Sequence, residues 1–484
     1  MKYLYGASVQ GIQPFIFQTN KLREIVGASE LVEQVCTEMF DKFGSRTESI
    51  VRAAGKISHV FETKEDCEKA ALEFPRMVMT QAPGITISQA VVNLSDDGSN
   101  YKDQSNKLEK QLIVQRSRPV RSMTLGLSAI RRSPSTGLPA VDSGEDGLLD
   151  EASKLKLEAS NTQKLMKKLT GLDDIDNDQI PYKIEKIASS SNWIAIVHAD
   201  GNGMGRMVQE VCTNQDHARK FSQTIDKITT TSAREAYVAV VAPHVSGDET
   251  IPIRPVLLSG DDLAIICRAD LAVLFAKVFL EKFEENSKQM LKACEDLQQY
   301  DVIHKGLTAC AGIAFVKATY PFHYAVELAE SLEQRAKKKA KIIDADLAPS
   351  CLMFHKVQDS FVEDFDEIAK RELQPQGKLS FEAGPYYVGE WATQFGDQCA
   401  CTAEKLLDYV GKLKVEEGTA VRSHLRQWLP LLFEDVGAAN QHMKRLRCIN
   451  TKARVLIDEV FEKLSDTDDK TIPFHDILAL ISIE

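Results

Sequence analysis

The chain is poor in the features that mark several large classes of protein. It has no apolar run approaching the roughly 18 residues of a membrane-spanning helix, so no membrane association of that kind is expected. Its start, MKYLYGASVQGIQPFIF, carries no cationic stretch ahead of a long apolar one. That predicts a cytoplasmic protein without a leader. Ten cysteines are scattered along 484 residues, and the closest pair, Cys399 and Cys401, is separated by one residue. Without two C-x-x-C knuckles a zinc ribbon is not expected, and the thiols read as buried side chains. Excess positive charge is missing too. The 59 Lys and Arg stand against 70 Asp and Glu, a net charge of −11, which argues against whole-surface binding of nucleic acid.

What is present is a globular composition, 43% hydrophobic and 27% charged. The length suggests about three domains. Residues 1–97 read as strand, helix, hairpin, helix, strand: Lys2–Ser8, a helical stretch from Pro14 to Met39, strands Ile50–Ala53 and Ile57–Phe61, a helix from Lys64, and strand Ile85–Val92. Gly27-Ala28-Ser29 is expected to bend the first helix and Pro75 to break the second. Residues 98–186 read as an insert with irregular ends. It contains Arg116, Arg118, Arg121, Arg131 and Arg132 and one helix from about Leu148 to Leu169.

Residues 187–345 repeat the first pattern: strand Trp193–Ala199, helical sequence Met204–Val241 interrupted near Thr213-Asn214, strands Ile253–Leu258 and Leu263–Cys267, helix Leu271–Leu297, strand Leu307–Phe315 and helix His323–Lys341. Residues 346–484 read as mostly helical, with amphipathic runs at Thr402–Leu413, Val421–Leu432 and Arg454–Leu464. The expected fold is α+β: two ferredoxin-like βαββαβ units and a helical C-terminal domain.

That order has a geometric consequence. The first and third strands of such a unit are antiparallel neighbours. The end of strand one therefore lies beside the hairpin joining strands two and three. In the second unit these places hold Asp200 and the pair Asp261-Asp262. Three crowded carboxylates repel one another and need a cation or raised pKa values. Oxygen-only ligands suit Mg²⁺ or Mn²⁺, and two such ions roughly 3.5–4 Å apart can clamp a phosphoryl displacement. Gly201, Asn202, Gly203, Met204 and Gly205 follow Asp200, and Ser259-Gly260 precede Asp261. Glycines allow close approach of backbone to phosphate, and the helix starting near Met204 would offer free N–H groups. The bland reading is that Asp-Gly pairs are ordinary turns and that Asp200 caps a helix.

In the helix Arg335–Lys341, Lys337 is a candidate phosphate ligand, against a reading as a solvated helix end. His198 reads as a strand residue. The corners of the first unit, Ser8-Val9-Gln10 and Ala53-Ala54-Gly55-Lys56, carry no carboxylate, so no catalytic metal is expected there.

Gly11–Phe17 with Lys21–Ser29, the turn around Gly55, the run His198–Gly205 and the run Ser259–Asp262 together resemble the two palms of the large subunit of type III CRISPR effector complexes. Phe381–Tyr387 is a fainter likeness to its C-terminal region. The resemblance implies a degenerate first palm and a second palm that polymerises ATP into cyclic oligoadenylates. Asp200, Asp261 and Asp262 would bind metal there, and RNA and other complex subunits would be partners. Ser259 replaces the first glycine of the usual Gly-Gly-Asp-Asp, and Asn202 stands where an aspartate is common. With the first palm starting at Lys2, the nuclease domain usual before it is not expected. One alternative is a scaffold that binds nucleotide without turnover. Another is a diguanylate cyclase, against which Asp262-Leu263 stands in place of Glu-Phe.

Overall fold

A computed structural model describes the chain except residues 54, 119–128, 145–146, 189, 248, 360–364, 376–378, 395–401, 415–418, 450–454, 456, 459–469 and 484. The first unit runs β1 (Lys2–Gln10), α1 (Ile12–Ile16), α2 (Leu22–Gln34), β2 (Val51–Ala53), β3 (Lys56–Phe61), α3 (Lys64–Gln81) and β4 (Thr86–Leu94). Its strands pair in the order β2-β3-β1-β4, all antiparallel. Thr63 starts α3 by accepting a hydrogen bond from the Asp66 N–H at 3.2 Å.

Two local expectations need correction. Helix α3 runs straight through Pro75. Proline deprives the carbonyl four residues earlier of its donor. That carbonyl, on Ala71, instead accepts from Gln89 Nε2 at 2.7 Å, and Gln89 is held by Tyr5 Oη at 2.9 Å. Helix α2 is continuous through Gly27. A Cβ there would lie 1.6 Å from the Lys156 carbonyl oxygen, so Gly27 marks a close helix contact and not a bend.

The insert is more ordered than expected. It holds α4 (Tyr101–Arg116), the hairpin β5 (Ala140–Gly144) and β6 (Gly147–Asp150), α5 (Glu151–Ala159) and α6 (Lys164–Thr170). Helix α4 buries Leu108 and Leu112 on the outer face of the first sheet. The single helix expected from Leu148 to Leu169 is two. Leu148 and Leu149 are in strand, Asp150 caps α5 by accepting from Ser153 N–H at 3.1 Å, and Gln163 at φ 55° splits α5 from α6. Arg121 lies outside the described residues.

The second unit runs β7 (Trp193–Gly201), α7 (Met204–Val211), α8 (Gln215–Ala236), β8 (Ile253–Ser259), β9 (Asp262–Arg268), α9 (Ala272–Ala293), β10 (Ala309–Lys317) and α10 (Phe322–Ile343). Asn214 caps α8 at the expected interruption. The strand order β8-β9-β7-β10 repeats that of the first unit. The sheet then continues past residue 345: β11 (Cys351–Lys356) pairs parallel to β10, and Tyr386–Tyr387 pairs with β11. A stretch read as mostly helical thus supplies two strands of this sheet. Ser29 of α2 donates to the Val256 carbonyl of β8, so the first unit covers that edge of the second sheet.

Helices Ala403–Lys414, Thr419–Glu434, Val436–Ile449 and Phe474–Ile481 follow. The run Arg454–Leu464 lies mostly outside the described residues, as do Cys399 and Cys401. Buried Tyr386 donates to Asp476 at 2.6 Å and ties the last helix to the sheet.

Helix α10 lies unusually close to β10. A Cβ on Gly312 would sit 1.9 Å from the Ala329 carbonyl and 2.5 Å from the Glu333 nitrogen. Gly312→Ala is therefore expected to cost about 1–3 kcal/mol by overpacking, seen as a lower urea midpoint. An unchanged midpoint would show that this helix contact is slack.

Candidate active site

The register of the second sheet assembles the site. Ala199 pairs with Leu263, so the next residues outward, Asp200 and Asp262, face each other across β7 and β9. Ser259 pairs with Asp262 and closes the hairpin, with Gly260 at φ 65° in its turn. Carboxylate oxygens of Asp200, Asp261 and Asp262 all lie within 4.8 Å of one another, the one such cluster among the described residues. All three are half-buried.

Burial and mutual repulsion raise two of them. The Asp261 carboxyl is pushed up to about 6 by burial and then by Asp200. Asp262 is pushed up to about 8 by burial and then by Asp200 and Asp261. A hard divalent cation is the ligand that would remove both penalties, and an all-carboxylate donor set of this spacing fits Mg²⁺ or Mn²⁺.

Lys337 answers part of that charge. Its ammonium is ion-paired to Asp200 and lies 3.0 Å from Glu333, one turn back on α10. Burial opposes its charge, but Asp200 and Glu333 outweigh burial and hold its pKa above the ordinary lysine value. Glu333 was not singled out in the sequence, although the Glu-x-x-x-Lys spacing is a usable signal. His198 sits on β7 with Nε2 3.7 Å from Glu330, and burial pushes its pKa down to about 4. It is a neutral strand residue, as read.

The glycine run divides into parts that face the carboxylates and parts that do not. A Cβ on Gly201 would lie 3.1 Å from Asp261 Oδ2 and 3.0 Å from Met204 Cγ, so this residue lines the cluster. Gly203, at φ 71°, takes the N-cap position of α7, and Met204 and Gly205 form its first turn. Asn202 turns away. Its backbone N–H donates to Thr308, and its amide nitrogen lies 3.1 Å from Thr308 Oγ1 and 3.3 Å from the Ala348 carbonyl. It is 4% exposed and joins β7 to the strands behind the site.

Two residues that no motif signalled support the hairpin from below. The Gly260 N–H donates to Asp226 of α8 at 3.2 Å. Lys168 of α6 bonds Asp226 at 2.9 Å and the Leu258 carbonyl at 2.7 Å. They come from positions about 30 and 90 residues away, and only the packing of α6 and α8 brings them together. In the first unit, Val9 N–H donates to the Gly55 carbonyl at the matching corner, where Ser8 pairs with Lys56 in place of the facing aspartates.

Residues 193–343 match the family model described as Cas10/Cmr2, second palm domain. This segment is a Cas10-like second palm. No curated protein sequence matches the chain. Among solved structures, the Csm1-Csm4 cassette in complex with cA4 aligns over 100% of this chain and 70% of its own, with a TM-score of 0.57 and 12% identity. The same cassette in complex with cA3 gives 0.55 and 13% over 100% and 69%. Csm1 of T. onnurineus gives 0.54 and 12% over 99% and 69%. At these identities the likeness is one of fold, and it extends beyond the Cas10-like palm to the whole α+β chain.

The raised carboxylates set a pH dependence. A carboxyl whose folded pKa is raised contributes stability below its unfolded value near 4, and that contribution is lost as pH rises through about 6 and 8. Metal-free Asp262→Asn is therefore expected to melt about 2–4 °C above the unmodified chain at pH 8, with the gap closing toward pH 4. Mg²⁺ or Mn²⁺ should raise the midpoint of the unmodified chain more than that of the variant. A gap that is independent of pH would refute the crowding.

Proposed function

We propose that this Cas10-like protein is a Mg²⁺- or Mn²⁺-dependent nucleotidyltransferase that joins ATP through 3′–5′ linkages into cyclic oligoadenylate-type signals in antiviral defence. The observation that carries this reading is the convergence of Asp200, Asp261 and Asp262 beside a glycine run that opens a helix. Solved structures of the same fold are described in complex with one ATP and with cA4, which supports an adenine nucleotide as substrate.

Two divalent ions, held by Asp200, Asp261 and Asp262, would supply Lewis acidity at the α-phosphate and at the attacking hydroxyl. The remaining work falls to the chain. The first N–H groups of α7, at Met204 and Gly205, point out of the helix and suit a triphosphate. Gly201 keeps the wall beside Asp261 free of a side chain, so the phosphates can approach the backbone. Lys337, anchored by Glu333, adds a point charge. The hydrogen bond from Gly260 to Asp226 holds the hairpin in place during turnover. A ribose 3′-oxygen forms a new bond to the α-phosphorus, the bond to the bridging oxygen breaks, pyrophosphate leaves, and the hydroxyl proton passes to water.

The fold relatives described as a Csm1-Csm4 cassette support an assembly in which this chain pairs with a second subunit; a response to RNA in the cytoplasm belongs to the same proposal. One observation favours the second reading, a scaffold that binds nucleotide without turnover. Asn202 stands where an aspartate is common, and its amide nitrogen is committed to Thr308 and Ala348, so it adds no fourth carboxylate.

The deciding experiment incubates the chain, with and without candidate RNA and partner subunits, with Mg²⁺ and labelled ATP or GTP. Pyrophosphate release and adenylate products are expected, falling to background in Asp261→Ala/Asp262→Ala. Lys337→Met should weaken ATP binding about tenfold, equivalent to ~1.4 kcal/mol. ATP binding without pyrophosphate under every condition would favour the scaffold. Turnover of GTP alone would favour a diguanylate cyclase.

A further inference from the structure

A cavity of about 960 Å³ lies away from the carboxylates, on the first unit. Thr86, Ile87, Ser88 and Gln89, four consecutive residues of β4, line it. Successive strand residues point to opposite faces, so a cavity that touches four in a row runs along the strand edge and not over one face. Its walls agree. Pro75 of α3 and Pro83 approach from one face of the sheet, and Gln115 and Arg116 of α4 from the other. Leu138 and Val141, both exposed, stand across the groove.

Among the described residues the edge itself is unpaired. Strand β4 pairs with β1, and no described strand pairs with its other side. The second unit differs here: its corresponding strand, β10, is continued by β11. An unpaired edge offers a row of backbone donors and acceptors to another extended chain. Four residues give roughly 13 Å of edge.

The rim specifies charge. Arg116 and Arg118 line the groove, are exposed, and have no carboxylate partner among the described residues. Arg116 donates to Ser8 Oγ at 2.7 Å, which fixes its direction. Several arginines elsewhere in this acidic chain are ion-paired, as Arg52 is with Asp41, Arg268 with Asp270 and Arg335 with Glu382. Of the two acidic lining residues, Asp150 is buried and spent on Thr136 and Ser153, which leaves Glu151 alone against the two arginines.

We propose that this groove binds an extended, acidic segment of a partner polypeptide as a fifth strand along β4. Side chains on one face of that strand meet the proline wall, and those on the other meet Arg116 and Arg118. The partner segment therefore alternates apolar and acidic residues. Main-chain bonds supply affinity and alternate side chains supply selectivity.

The probe is an end-blocked fluorescent peptide of alternating valine and glutamate, titrated into the full chain and followed by anisotropy. Saturable binding is expected. Arg116→Glu/Arg118→Glu should weaken it at least tenfold and admit the valine–lysine peptide instead, with the circular dichroism and thermal midpoint of the chain retained. N-methylation of one alternate set of peptide nitrogens should abolish binding, while methylation of the other set leaves it. Absent binding, equal effects of the two methylation sets, or indifference to charge reversal would overturn the proposal. So would displacement of the peptide by self-association of the chain, which would assign the edge to a second copy.

Discussion

Three carboxylates held within 4.8 Å of one another are an electrostatic liability, and much of the second unit is arranged around that liability. Isolated in water such groups would separate. Here Asp200 is fixed by a nine-residue strand paired on both sides, and Asp261 and Asp262 by a hairpin whose turn is bonded to Asp226. Lys337 supplies the compensating cation from α10, which lies against β10 at Gly312 without an intervening side chain. The residual negative charge makes the site receptive to divalent ions and, with them, to a polyphosphate.

The two βαββαβ units show how one architecture is put to different uses by its corners and edges. Both have the same strand order. At the corner where the second has aspartates, the first has Ser8, Gly55 and Lys56, which form an ordinary backbone-bonded turn without crowded charge. The edges diverge as well. In the second unit, α2 covers β8 through Ser29, while β11 and Tyr386–Tyr387 extend the sheet beyond β10. In the first, β4 is bordered by a groove. The second sheet is thus covered at β8 and extended beyond β10. The first keeps a surface on which main-chain recognition is available.

The sequence by itself determined the repeated element order, the α+β class and the meeting of Asp200 with Asp261 and Asp262. Hydrophobic periodicity and turn residues are local signals, and strand order then follows from topology. Where a residue's role depended on a distant partner, the local signal misled or fell silent. Pro75 predicts a break, but Gln89 restores the orphaned Ala71 carbonyl. Gly27 predicts a bend, but it serves a close contact with α5. Asn202 sits in the motif but turns to Thr308, and the support of the hairpin by Lys168 and Asp226 has no motif at all. Tertiary structure decided these points because hydrogen-bond satisfaction and packing are settled between side chains far apart in the chain. One-dimensional spacing carries no record of which of them will meet.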